Sequence, residues 1–395
     1  MEKFTDLKRA QVRVTGDFWE TWKQNARAHG LMSVYDRFRD SGRFGALDFT
    51  WKEGMPNKPH IFWDSDIAKW IEAAAYLLQE QRDPEIEALV DECVDKIEAH
   101  QRPDGYFNIW FDTAEPENRF TRYTDHELYD LGHLIEAAVA YRDATGKEKF
   151  LNIARKNADL ICRVFGTGEG QKRGYPGHQE IELALVKLYR VTGERAYLHQ
   201  AEYFIRERGR NPNYLQAEIE GRGHPEFFPE FERYDLEYSQ AHKPPVEQDE
   251  AVGHAVREMY MCSAMADLAG ENDDQQLKDA CQRIWNNMTD RRMYITGGIG
   301  SSGFRERFTT DYDLPNSTNY SETCASIGVM MFGQRMAAIT GDASYYDYVE
   351  KALYNTVIAG INIAGDRYFY VNPLEVVPEF CTEHTYMEHV KPVRQ

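Results

Sequence analysis

A pair of helices that recurs along the chain constrains the fold more than any other feature of the sequence. In each pair the first helix is apolar on most of its sides, whereas the second is apolar on one side only. The later first helices close with Thr-Gly or Ala-Gly, and a short polar turn then returns the chain. Because a helix buried all round must lie inside one buried on a single side, the recurrence predicts an inner and an outer ring of helices. The pairs begin near Asp64, Asp125, His178, Glu250 and Glu322.

With these pairs, the N-terminal helix and the end of the chain supply most of a sixth pair. We therefore predict an all-α fold, an (α/α)6 toroid or barrel of helical hairpins, over residues 16–395, preceded by a strand or coil segment over residues 1–15. A linear α-solenoid is the alternative. The unequal spacing of the closing glycines favours the toroid, because long, irregular inserts imply one decorated rim, where a pocket would lie.

Charge and composition argue against several classes of partner. The chain of 395 residues is 42% hydrophobic, enough for a sizeable core, and carries a formal net charge of −19. Since no basic stripe is present to neutralise phosphates, we expect no nucleic-acid partner. The N-terminus lacks an apolar leader region, and no run of about 18 apolar residues follows, so we expect no membrane association and a cytoplasmic location. The six cysteines are scattered without CxxC pairing, which is typical of reduced thiols.

Residues with side-chain chemistry stand at the starts of the inner helices. An acid at one such start is ordinarily a helix cap. Five starts that converge on one rim instead favour a shared pocket lined by histidines and carboxylates. The histidines that we select as substrate contacts are His126, His178 and His254.

The segment from Thr296 to Ala325 has no helical period and combines glycines, two carboxylates and a thiol. Glu306 and Glu322 suggest the paired carboxylates of glycoside hydrolysis, although a solvated loop acid and a helix cap are the ordinary alternatives. Cys324 follows Glu322 closely, and Glu-x-Cys beside a second acid resembles half of a zinc site. Within the chain, Cys381 and His384 are candidates for the remaining ligands. The GxGxxG pattern in this segment lacks the βαβ context of a nucleotide site.

Motifs across nearly the whole chain resemble glycoside hydrolase family 127, the non-reducing-end β-L-arabinofuranosidases, formerly a domain of unknown function. The resemblance implies an (α/α)6 barrel followed by β-sandwich domains, and an L-arabinofuranosyl-containing oligosaccharide or glycoconjugate as substrate. The motifs that carry it include FWDSDIAKWIEAA, HELYDLGHLIEAAVAYRDATGK, GYPGHQEIELALVKLYRVTGE, HKPPVEQDEAVGHAVREMYM, TGGIGSSGFRERF and LPNSTNYSETCASIG.

The resemblance also implies roles for individual residues. Glu306 matches the general acid/base, Glu322 and Cys324 match two of four zinc ligands, and the sugar-binding positions match His126, His178, His254 and Tyr370. The family's nucleophile is a zinc-bound cysteine thiolate in a Cys-Cys-Pro motif, and the reaction proceeds with retention. Zinc is therefore the expected cofactor.

The sequence departs from the family pattern where it ends, at Gln395, ahead of the position of that motif. We expect the chain to be an N-terminal piece truncated before the β-sandwiches, with an incomplete zinc site and no activity of its own. A replacement site that uses Cys381 as nucleophile with His384 is the alternative.

Two other classes of function stay open. A different sugar enzyme on the same fold, such as a lyase, an unsaturated-glucuronyl hydrolase or an epimerase, would use an aspartate at an inner-helix start, for which Asp64, Asp66 and Asp125 are available. A non-catalytic carbohydrate-binding toroid is the third hypothesis. Self-association as a homo-oligomer is also compatible with the sequence.

Overall fold

The computed structural model describes Leu7 and residues 11–223, 227–228 and 235–380. Within these residues the regular structure is helical, and extended segments meet only at isolated bridges such as that of Glu322 with Val371. The prediction of an all-α fold is confirmed. Cys381 and His384, the possible replacement ligands, lie outside the described residues.

The chain divides into two compact units. We call N-unit the part made of Leu7–Phe204 with the described residues after Asn213 up to 228, and C-unit the part made of Ile205–Asn213 with residues 235–380. The α-helices of the described residues, in chain order, are α1 (Asp17–Asn25), α2 (Leu31–Asp40), α3 (Arg43–Ala46), α4 (Trp63–Glu80), α5 (Pro84–His100), α6 (Ile109–Thr113), α7 (Glu127–Thr145), α8 (Lys149–Val164), α9 (Ile181–Thr192), α10 (Arg195–Glu207), α11 (Tyr214–Gly221), α12 (Ala255–Asn272), α13 (Gln275–Arg291), α14 (Thr323–Thr340) and α15 (Tyr345–Ala352).

In the N-unit, α7 and α8 form a hairpin with one inner and one outer helix. Helix α7 is buried on nearly every side and packs against α4 and α9 as well as α8, whereas α8 buries one face. The C-cap of α7, Gly146, has φ of 75°, the left-handed conformation that lets the chain turn back into α8. The burial pattern predicted from the recurring pairs is present here.

The C-unit repeats this arrangement. Helix α12 is buried along almost its whole length and packs against α13 and α14, and α14 packs against α15. Helix α13 buries one face, with Leu277, Ile284 and Trp285 among its buried residues. Helix α15 continues into a π-helical turn over Leu353–Val357.

The predicted start of one inner helix is wrong. Helix α12 begins at Ala255 and not at Glu250. Gly253 has φ of 65°, and a Cβ there would lie 2.0 Å from the carbonyl oxygen of Glu237, so the chain turns sharply before His254. Apolar residues continue through that turn, which is why their periodicity carried the predicted helix too far.

No α-helix within the described residues combines the length and the apolar character that crossing a membrane requires. The cysteines among the same residues are free. Cys93, Cys262 and Cys281 are buried, and Cys324 is exposed.

Candidate active site

Glu306 lies in a C-unit loop whose backbone is strained at that residue. Arg305 and Glu306 both have φ of 54°, in the left-handed region that residues other than glycine rarely occupy. The amides of Ser302 and Arg307 each donate to the other residue's carbonyl oxygen, at 3.2 and 3.1 Å, and close the loop. Strain that surrounding contacts maintain is concentrated at functional sites.

Three side chains from separate segments of the C-unit converge on the carboxylate of Glu306. Nε2 of His254 lies 2.9 Å from Oε2, and the hydroxyl groups of Tyr320 and Tyr370 donate to Oε1 at 2.9 and 3.1 Å. The Glu306 side chain keeps 29% of its surface exposed, so a ligand can still reach it. The carboxylate of Glu306 is therefore fixed by hydrogen bonds and is not that of a solvated loop acid.

His254 is held in one tautomer by the helix that it caps. Its Nδ1 accepts hydrogen bonds from the backbone amides of Val256 and Arg257, at 3.1 and 3.4 Å, in the first turn of α12. Since Nδ1 is an acceptor, the proton of the neutral ring is on Nε2, which donates to Glu306. Burial lowers the pKa of His254 and favours this neutral form.

The same contacts set the ionisation of Glu306. Burial by itself would raise the pKa of this carboxyl, but the hydrogen bond and the electrostatic effect of His254, together with the hydrogen bonds from Tyr320 and Tyr370, outweigh burial and lower it. Glu306 is therefore a carboxylate in this arrangement, the form that can accept a proton.

Glu322 is the N-cap residue of α14, but its side chain makes no capping hydrogen bond to that helix. It is 3% exposed, and its carboxylate belongs to a group of possible ligand atoms, with those of Glu306 and His254, that all lie within 4.8 Å of one another. Cys324 is exposed in the first turn of α14 and is not a member of this group. Of the two predicted metal ligands, Glu322 is thus the one beside Glu306.

The residue types at this place fit a zinc ion. Zinc takes carboxylate oxygen, imidazole nitrogen and thiolate sulfur. Two carboxylates this close repel one another unless a proton or a cation compensates. Because both ring nitrogens of His254 are engaged in hydrogen bonds, Glu322 is the member of this group that is left to hold a metal.

In the N-unit, His126 and His178 lie side by side with ring centroids 5.3 Å apart. Nδ1 of each ring faces a backbone carbonyl oxygen, that of Thr124 at 2.5 Å for His126 and that of Gln179 at 2.8 Å for His178. The proton of each neutral ring is therefore on Nδ1, and Nε2 is an acceptor. The ring of Tyr129 contacts both, with centroids 5.5 and 4.5 Å away. Such a pair suits the recognition of hydroxyl groups.

The aspartates that kept another sugar enzyme possible have structural partners. Both carboxylate oxygens of Asp64 accept the backbone N–H at the start of α6, at 3.0 and 3.1 Å. Asp66 pairs with Arg43 at 2.8 Å, and the buried Asp125 pairs with Arg122. These are the roles of caps and ion pairs, and they give no support to catalysis by an aspartate.

Sequence reasoning missed Tyr320 as a partner of Glu306. No local pattern signals it, because Ser321, between Tyr320 and Glu322, has φ of 39° and the segment is not a regular strand. The GxGxxG pattern leads into a 3₁₀ turn, Phe304–Glu306, and not into the helix that a dinucleotide site requires.

Comparisons with known proteins all find members of one family among the relatives of this chain. The family model for the GH127 catalytic domain of β-L-arabinofuranosidases matches residues 11–391. A non-reducing end β-L-arabinofuranosidase of Bifidobacterium longum subsp. longum is 44% identical over 328 residues, which make up 81% of this chain and 49% of that protein. The chain therefore spans about half the length of this curated relative.

Solved structures of the same family are similar to this chain. A GH127 β-L-arabinofuranosidase from Geobacillus stearothermophilus T6 has a TM-score of 0.91 at 48% identity and covers 97% of this chain and 61% of its own. A second GH127 β-arabinofuranosidase has a TM-score of 0.83 at 38% identity, over 92% of this chain and 56% of its own. A sugar epimerase from a ruminal bacterium, at 10% identity and a TM-score of 0.52, shares the fold alone. The predicted (α/α)6 hairpin fold is confirmed.

Proposed function

Since the chain belongs to glycoside hydrolase family 127, the β-L-arabinofuranosidases, we propose that it removes non-reducing-end β-L-arabinofuranosyl residues with Glu306 as the general acid/base. The observation that carries this proposal is the strained Glu306 with its three hydrogen-bonding partners. Three donors orient one partly exposed carboxylate and keep it in the ionised form that can accept a proton. Retention of configuration stays a prediction from the resemblance.

The hydrogen bonds of Glu306 are compatible with both halves of acid/base catalysis. As a carboxylate, Glu306 can take a proton from an attacking water molecule. As an acid, it must carry a proton on Oε1 or Oε2 and give it to the leaving oxygen. When Oε1 carries the proton, the hydroxyl group of Tyr320 or Tyr370 can rotate and accept a hydrogen bond instead of donating one. Two hydrogen atoms then need not face one another. His254 keeps the carboxylate oriented through Oε2 in either state.

The assignment of Glu306 is tested with Glu306→Gln in the protein at its natural length. We expect kcat for release of L-arabinose from a β-L-arabinofuranosyl disaccharide to fall by about 10²–10⁴-fold. An aryl β-L-arabinofuranoside with an acidic phenol needs little help in departing, so its first step should lose far less. Glu148→Gln, which removes an exposed acid, is the matched control. Equal rates for native protein and Glu306→Gln on the disaccharide would refute the assignment.

A zinc ion, which the resemblance implies, would be held by Glu322 and Cys324. When bound, zinc would keep a thiolate ligand deprotonated near neutral pH. The support for these two residues is the buried carboxylate of Glu322 next to Glu306 and the exposed thiol that follows it in the first turn of α14.

Zinc content tests the ligands without reference to activity. Glu322→Gln and Cys324→Ser should each lower the zinc bound per chain, measured by elemental analysis after dialysis. Cys162→Ser, which changes a thiol in the N-unit, should leave it unchanged. An unchanged zinc content in both ligand variants would show that the metal is held elsewhere.

The remaining functional assignments stay predictions. They comprise the sugar contacts of His126, His178, His254 and Tyr370, an arabinofuranosyl-containing glycan as partner, a cytoplasmic location and self-association. Binding of L-arabinose without turnover of any β-L-arabinofuranoside would replace the enzyme proposal with the carbohydrate-binding alternative.

A further inference from the structure

The loop that carries Glu306 has a strained backbone. Two consecutive residues, Arg305 and Glu306, lie in the left-handed region, and such strain persists only where other contacts impose it. The reciprocal hydrogen bonds of Ser302 and Arg307 close the loop, and within it the amide of Glu306 reaches the carbonyl of Gly303 at 3.4 Å and that of Phe304 reaches Oγ of Ser302 at 3.1 Å. Because strain of this kind needs support, the conformation of Glu306 also depends on contacts from outside the loop.

Arg307, the residue after Glu306, reaches out of the loop. Its guanidinium group lies 2.6 Å from Asp235 and 3.4 Å from Glu237. The backbone of Arg307 also bridges to His254, and the next amide, that of Phe308, donates to the carbonyl of Gly253 at 2.9 Å. Arg307 thus binds the segment in front of α12 through its backbone and the 235–237 segment through its side chain.

The segment that receives Arg307 is itself packed against His254. Asp235 caps a 3₁₀ turn, Leu236–Ser239, by accepting the amide of Glu237 at 3.0 Å. The carbonyl oxygen of Tyr238 in that turn accepts the amide of His254 at 3.2 Å. Asp235 therefore uses one carboxylate oxygen for the turn and the other for Arg307. The ion pair joins the turn behind His254 to the loop that carries its partner, Glu306.

We propose that Arg307 is a positioning residue: through Asp235 and Glu237 it holds the strained Glu306 loop in register with His254. Its catalytic consequence rests on the proposed function of Glu306. The competing view is an ordinary surface ion pair, which contributes little to stability. The side chain of Arg307 is 20% exposed, compared with 38% for Arg142, which makes such an ordinary pair with Glu148. Arg142 is therefore the matched control.

Hydrogen exchange of the native protein and of Arg307→Met tests the hold on the loop directly. We expect the backbone amides of residues 302–308 to exchange about tenfold faster in Arg307→Met, because the closed loop opens more often. Asp235→Asn should have the same effect, since asparagine keeps the cap and loses only the charge. Arg142→Met should leave exchange at 302–308 unchanged. Unchanged exchange in Arg307→Met would overturn the proposal.

The double variant Arg307→Met/Asp235→Asn shows whether the two residues act as one unit. If they do, exchange at 302–308 in the double variant equals that in either single variant. Effects that multiply would mean that the two side chains act separately, and would overturn the ion pair as the holding contact.

Kinetics connect the loop to catalysis. We expect kcat of Arg307→Met on a β-L-arabinofuranosyl disaccharide to fall roughly tenfold to a hundredfold, because a small displacement of a catalytic group is costly, while KM changes little. Faster exchange with an unchanged kcat would overturn the positioning role. A native protein that releases no arabinose would instead refute the proposed function, and the exchange measurement would still decide whether Arg307 holds the loop.

Discussion

At the scale of single residues, Glu258 is a buried acid that the proposed chemistry does not use. It lies one turn after His254 on α12 and is completely buried. One oxygen accepts the weak thiol donor of Cys262 at 3.7 Å, and the other has no hydrogen-bond partner within the described part of the chain. Burial raises the pKa of Glu258 to about 8. The folded protein therefore keeps it protonated near neutral pH.

Glu258→Gln should make the protein more stable, and increasingly so as the pH rises. The folded pKa lies above the unfolded value, so the contribution of this group is fully present below about pH 4.5 and is lost as the pH rises through about 8. A glutamine side chain does not ionise, so the variant does not lose stability at this position as the pH rises. We expect the difference in free energy of unfolding between variant and native protein to grow by on the order of 2–4 kcal/mol from pH 5 to pH 8. Urea denaturation at both pH values measures it.

The control for this measurement is Glu53→Gln, which changes an exposed acid. Its effect on the free energy of unfolding should be small and nearly equal at the two pH values. A Glu258→Gln difference that is constant with pH would mean that Glu258 is ionised in the folded protein.

At the scale of elements, the contact between α7 and α9 depends on a missing side chain. A Cβ on Gly132 of α7 would lie 2.7 Å from Cγ of Glu180 and 2.9 Å from the backbone nitrogen of Ile181. The second of these atoms belongs to the start of α9 and cannot move aside. Gly132 therefore sets how closely the two inner helices of the N-unit approach.

Gly132→Ala should destabilise the protein although alanine is the better helix former. Alanine inside a helix ordinarily gains about 0.5–1 kcal/mol over glycine, whereas overpacking costs roughly 1–3 kcal/mol. We expect overpacking to win, with a lower melting temperature in calorimetry. Gly45→Ala is the control, because a Cβ at that position of α3 meets nothing within 4 Å. A melting temperature of Gly132→Ala at or above the native value would contradict the close approach.

The sequence predicts the elements far better than it predicts the contacts of the site. Burial all round or on one side is written locally in the period of α7 and α8, so the hairpins could be read directly. The meeting of His254, Glu306, Tyr320 and Tyr370 depends on segments far apart in the chain, and no local pattern encodes it. The start of α12 was missed for a related reason, since the backbone contact of Gly253 with Glu237 overrides the apolar period.

At the scale of the whole molecule, charge bears on the choice of substrate. A formal net charge of −19 repels uronic acids and leaves neutral sugars unaffected. The arabinofuranosyl substrate of the proposed function is neutral, whereas an unsaturated-glucuronyl hydrolase must attract a carboxylate. The overall charge is thus compatible with the neutral substrate of the proposed function.

Ionic strength provides the corresponding test. We expect kcat/KM for a neutral β-L-arabinofuranosyl disaccharide to change less than about twofold between about 20 and about 300 mM NaCl, because screening acts only on charged partners. An unsaturated-glucuronyl disaccharide should not be cleaved at either salt concentration. Cleavage of that substrate, accelerated by salt, would favour the alternative enzyme class.

The ring of His254 makes hydrogen bonds on two opposite edges. One edge accepts two amides of α12, and the other donates to Glu306. Asparagine could cap the helix but is too short to reach the acid, and glutamine could reach the acid but would abandon the cap. The position therefore tolerates no substitute, for a reason of shape and not of acidity. Loosening the first turn of α12 would therefore also remove one of the three hydrogen bonds on Glu306, so the start of this helix contributes to the assembly of the candidate site.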